Sequence, residues 1–297
     1  RLGFNVLVSP CSSHELYSTG QHTIPSDTAC YPAKLMHGHT EWLLKRNPDA
    51  IFYPCMSYNV DEKLGTDHFN CPVVAYYPEI IRLNVPDIKK TKFISDFIGL
   101  GDKKVFERRM GEILSENFKK FSKREISEAA SAAYSEYEAF HSQIRKKARE
   151  YIDAATAEKQ PIAVLCGRPY HVDPEVNHGI DKLLCDLGAA VVTEDGLSAE
   201  VKPFPTRVRN QWTYHARMYA AAKYVAESDK DMHVVQLVSF GCGLDAITAD
   251  EMRSILESAG KDYTQLKIDE ISNTGAATIR LRSLFAMLEA KNKFRDR

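Results

Sequence analysis

Three cysteines occupy positions where an α/β fold delivers a thiolate. Cys55 follows the apolar run Ile51-Phe52-Tyr53. Cys242 follows Val234–Val238, within Ser239-Phe240-Gly241-Cys242-Gly243. Cys30 stands just before a helix whose first turn holds Pro32. Open α/β sheets place ligands beyond the carboxyl ends of their strands, and a helix N-terminus favours thiolate over thiol. Cys30, Cys55 and Cys242 are therefore expected to converge on one edge, as ligands to an iron–sulfur cluster, as zinc ligands, or with one of them as a nucleophile. Glycines on both sides of Cys242 remove side-chain bulk and leave backbone N–H groups to point at cluster sulfurs, a lever that tunes such clusters. A tight turn with an incidental thiol is the competing reading. Structural zinc sites pair ligands two to four residues apart, and the sequence has no Cys-x-x-Cys. His37 and His39 are a close pair, but two residues apart on a helix they point to different sides. A nucleophilic cysteine needs a base, and ten histidines leave that base undetermined.

The remaining polar features are weaker. There are seven cysteines. Cys11 and Cys166 also lie past apparent strand ends, whereas Cys185, in Leu183-Leu184-Cys185-Asp186-Leu187, is expected on a helix in apolar surroundings. Cys166-Gly167-Arg168-Pro169-Tyr170-His171 either binds an anion through Gly-Arg or makes a structural turn. Ser272 or Asn273 is the expected N-cap of the last helix. The Tyr-Pro pairs at 31–32, 53–54 and 77–78 are expected to stop strands and start turns. No G-x-x-x-x-G-K-[ST] occurs, and no G-x-G-x-x-G follows a strand, so the segment is not expected to hydrolyse ATP itself.

The elements that must position these residues alternate. Short apolar, β-branched runs at Phe4–Val8, Ala50–Tyr53, Val73–Tyr76, Ile162–Leu165, Ala189–Thr193, Val234–Val238 and Tyr263–Ile268 have helical patterns between most of them. That alternation predicts βαβ units and a largely parallel sheet. From Lys103 to Lys159 no strand signal appears. Val105, Phe106, Met110, Ile113, Leu114, Phe118 and Phe121 predict one amphipathic helix. Ile126 through Ala155 steps by three and four residues as a helix of about 30 residues. The fold expected is α/β, with two flavodoxin-like or Rossmann-like lobes that have parallel sheets and are joined by long helices. Residues 1–100 would form the first lobe, 101–160 the helical connector and 161–297 the second lobe. The opening residues read as a helix end, a glycine cap and a strand, which predicts a first lobe truncated at its start and a fragment of a larger polypeptide.

Bulk composition excludes several classes. The 297 residues are 44% hydrophobic and 27% charged, with 39 basic and 40 acidic side chains. A nucleic-acid partner would require a basic face, and no apolar run approaches the ~20 residues that span a bilayer. Neither nucleic acid nor membrane is therefore expected as a partner. Dispersed cysteines fit a reducing, cytoplasmic setting better than a disulfide scaffold.

Taken as a set, seven segments resemble a known family over nearly the whole chain apart from the middle helices. They are Cys30-Tyr31-Pro32-Ala33-Lys34-Leu35-Met36-His37-Gly38-His39, Ile51-Phe52-Tyr53-Pro54-Cys55, Phe69-Asn70-Cys71-Pro72-Val73-Val74 with Tyr77-Pro78-Glu79, Gly167-Arg168-Pro169-Tyr170, Val176-Asn177-His178-Gly179-Ile180, Ser239-Phe240-Gly241-Cys242-Gly243-Leu244-Asp245 and Lys267-Ile268-Asp269-Glu270. The set resembles the acyl-CoA dehydratase activase-related proteins, relatives of the 2-hydroxyacyl-CoA dehydratase iron–sulfur subunits and of the double-cubane cluster proteins. The resemblance implies a [4Fe–4S] or double-cubane cluster between two α/β lobes, with Cys30, Cys55 and Cys242 as metal ligands. It adds Cys71 as a further cofactor-binding residue, a departure from the three-cysteine dehydratase pattern. Four thiolates would close the cluster and favour electron transfer over substrate activation. The implied partners are an ATP-dependent activator, on the same polypeptide or another, an acyl-CoA substrate and a second copy of the chain. The implied role is a reductase or dehydratase component that takes a low-potential electron from the activator. Two alternatives stand beside it: a non-catalytic electron-carrying or regulatory module that docks on the activator, and a binding protein whose cysteines are core residues without metal.

Overall fold

The computed structural model describes residues 1–270 and 274–295; Ser272 and Asn273, the expected cap, lie outside them. In chain order the helices are α1 (His14–Gly20), α2 (Tyr31–Leu44), α3 (Pro72–Asn84), α4 (Lys103–Asn117), α5 (Lys123–Ala157), α6 (Pro174–Asn177), α7 (Ile180–Asp186), α8 (Thr213–Glu227), α9 (Gly243–Ser258) and α10 (Gly275–Arg295). The strands are β1 (Ala50–Phe52), β2 (Cys55–Tyr58), β3 (Lys92–Ile94), β4 (Phe97–Gly99), β5 (Ile162–Cys166), β6 (Ala190–Thr193), β7 (Met232–Ser239) and β8 (Tyr263–Ile268). All named strand pairs are parallel, as the alternation of apolar runs and helices requires. The chain divides into two units, Arg1–Gln143 with Asn210–Thr213, and Ile144–Arg209 with Tyr214–Arg297. The division falls inside α5.

In the first unit β1 pairs with β3 and β2 with β4. The two pairs continue one another, because the Tyr53 N–H donates to Ile94 O and the Cys55 N–H to Asp96 O across the gap. Pro54, which has no N–H, stands at the interruption. Ile51, Tyr77, Ile81, Val85 and Ile88 form the core beneath, with Cys30 and Tyr53 packed against it. Helix α1 lies on α2 through glycines: a Cβ on Gly38 would stand 2.1 Å from the Leu16 carbonyl oxygen, so only glycine admits this approach. The segment 210–213 belongs here because its backbone bonds to residues 66–69, through Thr66 N–H to Asn210 O and Thr213 N–H to Phe69 O.

Two sequence expectations fail in this unit. Phe4–Val8 is not a strand; residues 1–13 form no helix or strand, and Phe4 packs its ring edge-on against Phe118 at 4.9 Å. Val73–Tyr76 is not a strand either, but the first turn of α3. Its β-branched residues suit a strand, yet Pro72 at the first helical position and Cys71 as N-cap start a helix instead. Tyr77-Pro78 accordingly sits inside α3, and Tyr31-Pro32 opens α2 rather than ending a strand.

The second unit is built on one four-stranded sheet in the order β6-β5-β7-β8. Strands β5 and β7 are central, and every residue of β5 is buried, which is why they read as continuous apolar runs rather than alternating ones. Ala148, Ile152 and Ala155 of α5, Met218, Ala221, Ala222 and Val225 of α8, and Met252 and Leu256 of α9 form the core with Val164 and Val234. Relative to chain order the sheet reverses direction between β5 and β7. In doubly wound sheets that switch point opens a crevice at the strands' carboxyl ends.

Candidate functional site

Three of the four proposed cysteines turn out to be helix N-caps. Cys30 caps α2, Cys71 caps α3 and Cys242 caps α9, each with extended backbone. An N-cap residue lies beside the unsatisfied N–H groups of the first turn and the positive end of the helix dipole, although the Cys30 and Cys242 side chains make no capping hydrogen bond. Cys71 shows the interaction directly, its Sγ accepting from the Val74 N–H at 3.4 Å. Cys55, the first residue of β2, is 0% exposed.

In the first unit the thiols gather around a phenol. Burial, and then the charges of Tyr77, Cys55, Cys30 and Cys71, push the Tyr53 hydroxyl far above its ordinary range. Burial likewise raises Tyr77 to about 12, with Cys30 adding to it. Burial also raises the Cys55 thiol, with the carboxylates of Glu79 and Asp96 adding to it and the Glu79 backbone and Arg82 working against it. Behind them lies a neutral hydrogen-bond chain. The Thr23 hydroxyl donates to Gly20 O at 2.8 Å, so it accepts from His37 Nδ1 at 2.7 Å. His37 Nε2 is then the acceptor for the Tyr77 hydroxyl, 3.1 Å away. Burial lowers His37 to about 4, with His22 adding, and keeps the ring neutral. His39, two residues on, turns to Ser9 and Ser12 instead, as the helical spacing predicts.

The second unit surrounds Cys242 with charge. Arg168, just past β5 and 3% exposed, donates from Nη1 to Cys242 Sγ at 3.3 Å and from Nη2 to Ser239 Oγ at 3.2 Å. The same Nη2 donates to the carboxylate of Asp245, which also accepts the Ser239 N–H at 2.8 Å. Burial works against the Arg168 charge, but Tyr170, Asp245 and Cys242 outweigh it and hold the guanidinium protonated more firmly than usual. Burial pushes the Asp245 carboxyl up, against Arg168 and the Ser239 N–H. We read the pair as ionised, because a guanidinium keeps its proton. The anion that the Gly-Arg turn suggested is thus Asp245 of the same unit.

Burial, then Arg168, lowers His215 to about 3, and burial, then Arg168 and His215, holds His171 well below its ordinary value, so both rings are neutral. Neighbouring Glu194 follows β6 and accepts the Gly167 N–H at 3.3 Å. Burial, then Asp195, pushes its carboxyl up to about 8. Two further family-like segments also meet in this unit, where His178 Nε2 lies 2.6 Å from Asp269 O at the end of β8.

The other cysteines separate from these sites. Cys11 is exposed, and Cys166 is fully buried at the end of β5. Cys185 is exposed, contrary to its expected apolar packing: it occupies the outer side of the two-turn α7, whose inner side is Ile180 and Leu184. Among the described residues no group of three or more His, Cys, Asp or Glu side chains is arranged to hold a metal ion. The donor chemistry nevertheless suits iron–sulfur ligation, since sulfur is the soft donor such clusters take. A Cβ built on Gly241 or Gly243 would meet nothing within 4 Å, so the backbone on both sides of Cys242 is open to a bulky group. Sequence reasoning set His37 aside and gave no role of their own to Asp245, Tyr53 and Tyr77, which it named only within longer segments. Asp245 alone carried a usable signal, an acid three residues beyond the cysteine at the start of a helix.

No helix among the described residues is long and apolar enough to cross a membrane. Residues 1–197 match the family described as the CoA enzyme activase uncharacterised domain (DUF2229). Comparison with curated proteins and with solved structures returns no match.

Proposed function

Because the chain belongs to the CoA enzyme activase domain family, we propose that it is a thiolate-bearing redox domain served by an ATP-dependent activator and related to the 2-hydroxyacyl-CoA dehydratases and double-cubane cluster proteins. The observation that carries this reading is the placing of Cys30, Cys71 and Cys242 on helix N-termini, three times over in one chain. Cys30, Cys55 and Cys242 would hold a [4Fe–4S] or double-cubane cluster, with Cys71 as the further thiolate. Bound, such a group supplies one-electron transfer at low potential. The chain's own residues bind and orient the sulfurs: the helix termini favour thiolate, Tyr53 and Tyr77 fill the space around the first-unit thiols, and Arg168 supplies positive charge beside Cys242. The substrate class is an acyl-CoA, reduced or dehydrated after the electron arrives. The setting is the cytoplasm of an anaerobic metabolism, with a second copy of the chain as a further partner.

A second reading, an electron-carrying or regulatory module without its own substrate, is favoured by Cys71, whose sulfur shares the Tyr53 surroundings with Cys30 and Cys55. Four thiolates leave no iron open to substrate. Protein prepared without oxygen and reconstituted with iron and sulfide is expected to be brown, with roughly stoichiometric iron and sulfide. Colourless, iron-free protein would sink both readings. Cys71→Ala separates them: full iron retention and a spectroscopic shift on adding an acyl-CoA point to the enzyme component, whereas loss of iron as severe as in Cys55→Ala points to the carrier.

A further inference from the structure

We propose that Arg168 is a positioning residue for Cys242: held by Asp245 and Ser239, it fixes the place of the Cys242 sulfur and sets a positive charge beside it. The topology points there first. The order β6-β5-β7-β8 puts the switch point between β5 and β7, and the two loops that leave those strands at their carboxyl ends carry Arg168 and Cys242. Ligand crevices of doubly wound sheets form at this point.

The geometry around the sulfur is closed on one side and open on the other. Asp245, in the first turn of α9, reaches back to the Ser239 N–H at the end of β7, so the loop between them is tied across its base. Arg168 is tied as well, its backbone N–H donating to His171 Nδ1 at 3.0 Å. The guanidinium can then present one nitrogen to Asp245 and Ser239 and the other to the sulfur, a division of labour that needs a planar fork and that a lysine ammonium could not reproduce. Arg168 Nε, Asp245 Oδ1, His171 Nε2 and both ring nitrogens of His215 are buried without a hydrogen-bond partner among the described residues. On the other side, Gly241 takes φ +73° and neither it nor Gly243 faces any atom within 4 Å of a built Cβ.

Stability does not explain this arrangement. A buried ion pair is often no more stable than apolar residues of similar volume, and here the pair also leaves polar atoms unpartnered. Besides the pair itself and Ser239, an apolar substitute would lose the N–H directed at Cys242 and the placement of the guanidinium over the Tyr170 ring, 5.1 Å from its centroid. The inference rests on the reading of Cys242 as a working thiolate, but it can be tested without a cluster.

The test uses the full chain, purified without oxygen and without reconstitution, at one pH. Alkylation of Cys242 by anionic iodoacetate and by neutral iodoacetamide is followed by mass spectrometry. Both reagents attack the same thiolate, so its ionised fraction cancels in the ratio of rates, and the ratio reports local charge. Arg168→Gln is expected to lower the iodoacetate-to-iodoacetamide ratio about tenfold, a modest fraction of what a neighbouring unit charge can exert. Asp245→Asn, which keeps the guanidinium and removes its counter-charge, is expected to raise the ratio. Arg168→Lys should fall between wild type and Arg168→Gln. General damage would move both variants the same way, so opposite shifts support the inference. A ratio within twofold of wild type in folded Arg168→Gln overturns it. Should Arg168→Gln fail to fold, an unchanged or lowered ratio in Asp245→Asn overturns it equally. Iron content after reconstitution of the same variants separates the two ideas. Iron-free protein whose ratio follows Arg168 would end the cluster reading alone, and iron-loaded protein with an indifferent ratio would end this inference alone.

Discussion

Cys55 and Cys242 are offered for the same task, yet their surroundings are opposites. The first-unit thiol is wholly buried near Tyr53, with Glu79, Asp96 and Arg82 acting on it, and the same unit holds a neutral chain from Tyr77 through His37 to Thr23. The second-unit thiol is half exposed beside a buried ion pair. Burial, with two carboxylates adding to it, favours the protonated Cys55 sulfur, whereas the Cys242 sulfur receives a hydrogen bond directly from a guanidinium. The contrast teaches that a cysteine's place past a strand end does not by itself fix its chemistry; the partner brought in from elsewhere in the chain does.

The largest expected effect breaks the ionic side. Asp245→Ala leaves the Arg168 guanidinium buried and without its counter-charge, and should cost about 3–5 kcal/mol in a urea or thermal melt. The paired change Arg168→Met with Asp245→Leu should lose less than Asp245→Ala alone, because no charge is then stranded. A double variant at least as unstable as the single one would show that the pair is a structural necessity, and the contrast with the first unit would lose its functional meaning.

The next effect falls on the aromatic side. Gly38→Ala forces a methyl group into the Leu16 carbonyl, 2.1 Å from the built Cβ. Helix α1 must move off α2 at an expected cost of about 1–3 kcal/mol. Since Cys30 caps α2, its alkylation rate should change while that of Cys242 stays the same. A shift at both cysteines would mean that the two sites do not respond separately.

How much of this was legible in the sequence depends on the range of the interaction that decides each element. The second sheet was readable because Val234–Val238 and Ile162–Leu165 are buried on both faces and so print as apolar runs. Cys30 and Cys242 were readable because Pro32 and the flanking glycines are local signals. Strands β2, β3 and β4, of three or four residues, are too short to show alternation. Val73–Tyr76 carried strand-forming side chains, and the helix start at Pro72 overrode them. The Arg168–Asp245 pair joins residues 77 apart in sequence, so neither charge announces the other. The Tyr77–His37 bond spans 40 residues and was equally invisible. The α/β class with parallel sheets was thus within reach of local pattern, while the partners that give each cysteine its chemistry were not.

Titration gives a third way to sharpen the comparison. His37 in one unit and His171 and His215 in the other are held neutral in the fold below their ordinary value of 6.5. Unfolding lets each take up a proton below that value, so stability is lost as pH falls beneath about 6.5. Glu194 has the opposite sense. Its carboxyl is raised from 4.5 to about 8, so the folded state binds the extra proton and stability declines as pH rises through that window. Below 6.5 the three histidines outweigh Glu194, and above it the histidines no longer contribute while Glu194 still does. Maximum stability is therefore expected near pH 6.5, with an alkaline slope of up to about 1.4 kcal/mol per pH unit. Glu194→Gln should flatten that slope between pH 6.5 and 8 and leave the acid limb steep. An unchanged alkaline limb would show that Glu194 is already ionised, through Arg217, and that the second unit carries a further buried charge.

The smallest effect concerns one hydroxyl. Tyr77→Phe removes the donor to His37 Nε2 while leaving the ring in place, 5.7 Å from the imidazole centroid. His37 Nδ1 remains bound to Thr23, so the imidazole keeps its tautomer and loses only its acceptor's partner. The expected cost is about 1–2 kcal/mol, the range for a neutral hydrogen bond whose remaining partner stays buried. No charge is created or removed, so the loss should be the same at low and high salt. For the same reason the iodoacetate-to-iodoacetamide ratio at Cys30 should not move, in contrast to the ratio at Cys242 when Arg168 is changed. If Tyr77→Phe does shift the Cys30 ratio, or if its cost depends on salt, then the first-unit site contains an ionised group at the Tyr77–His37 end. The two cysteine environments would then differ in degree rather than in kind.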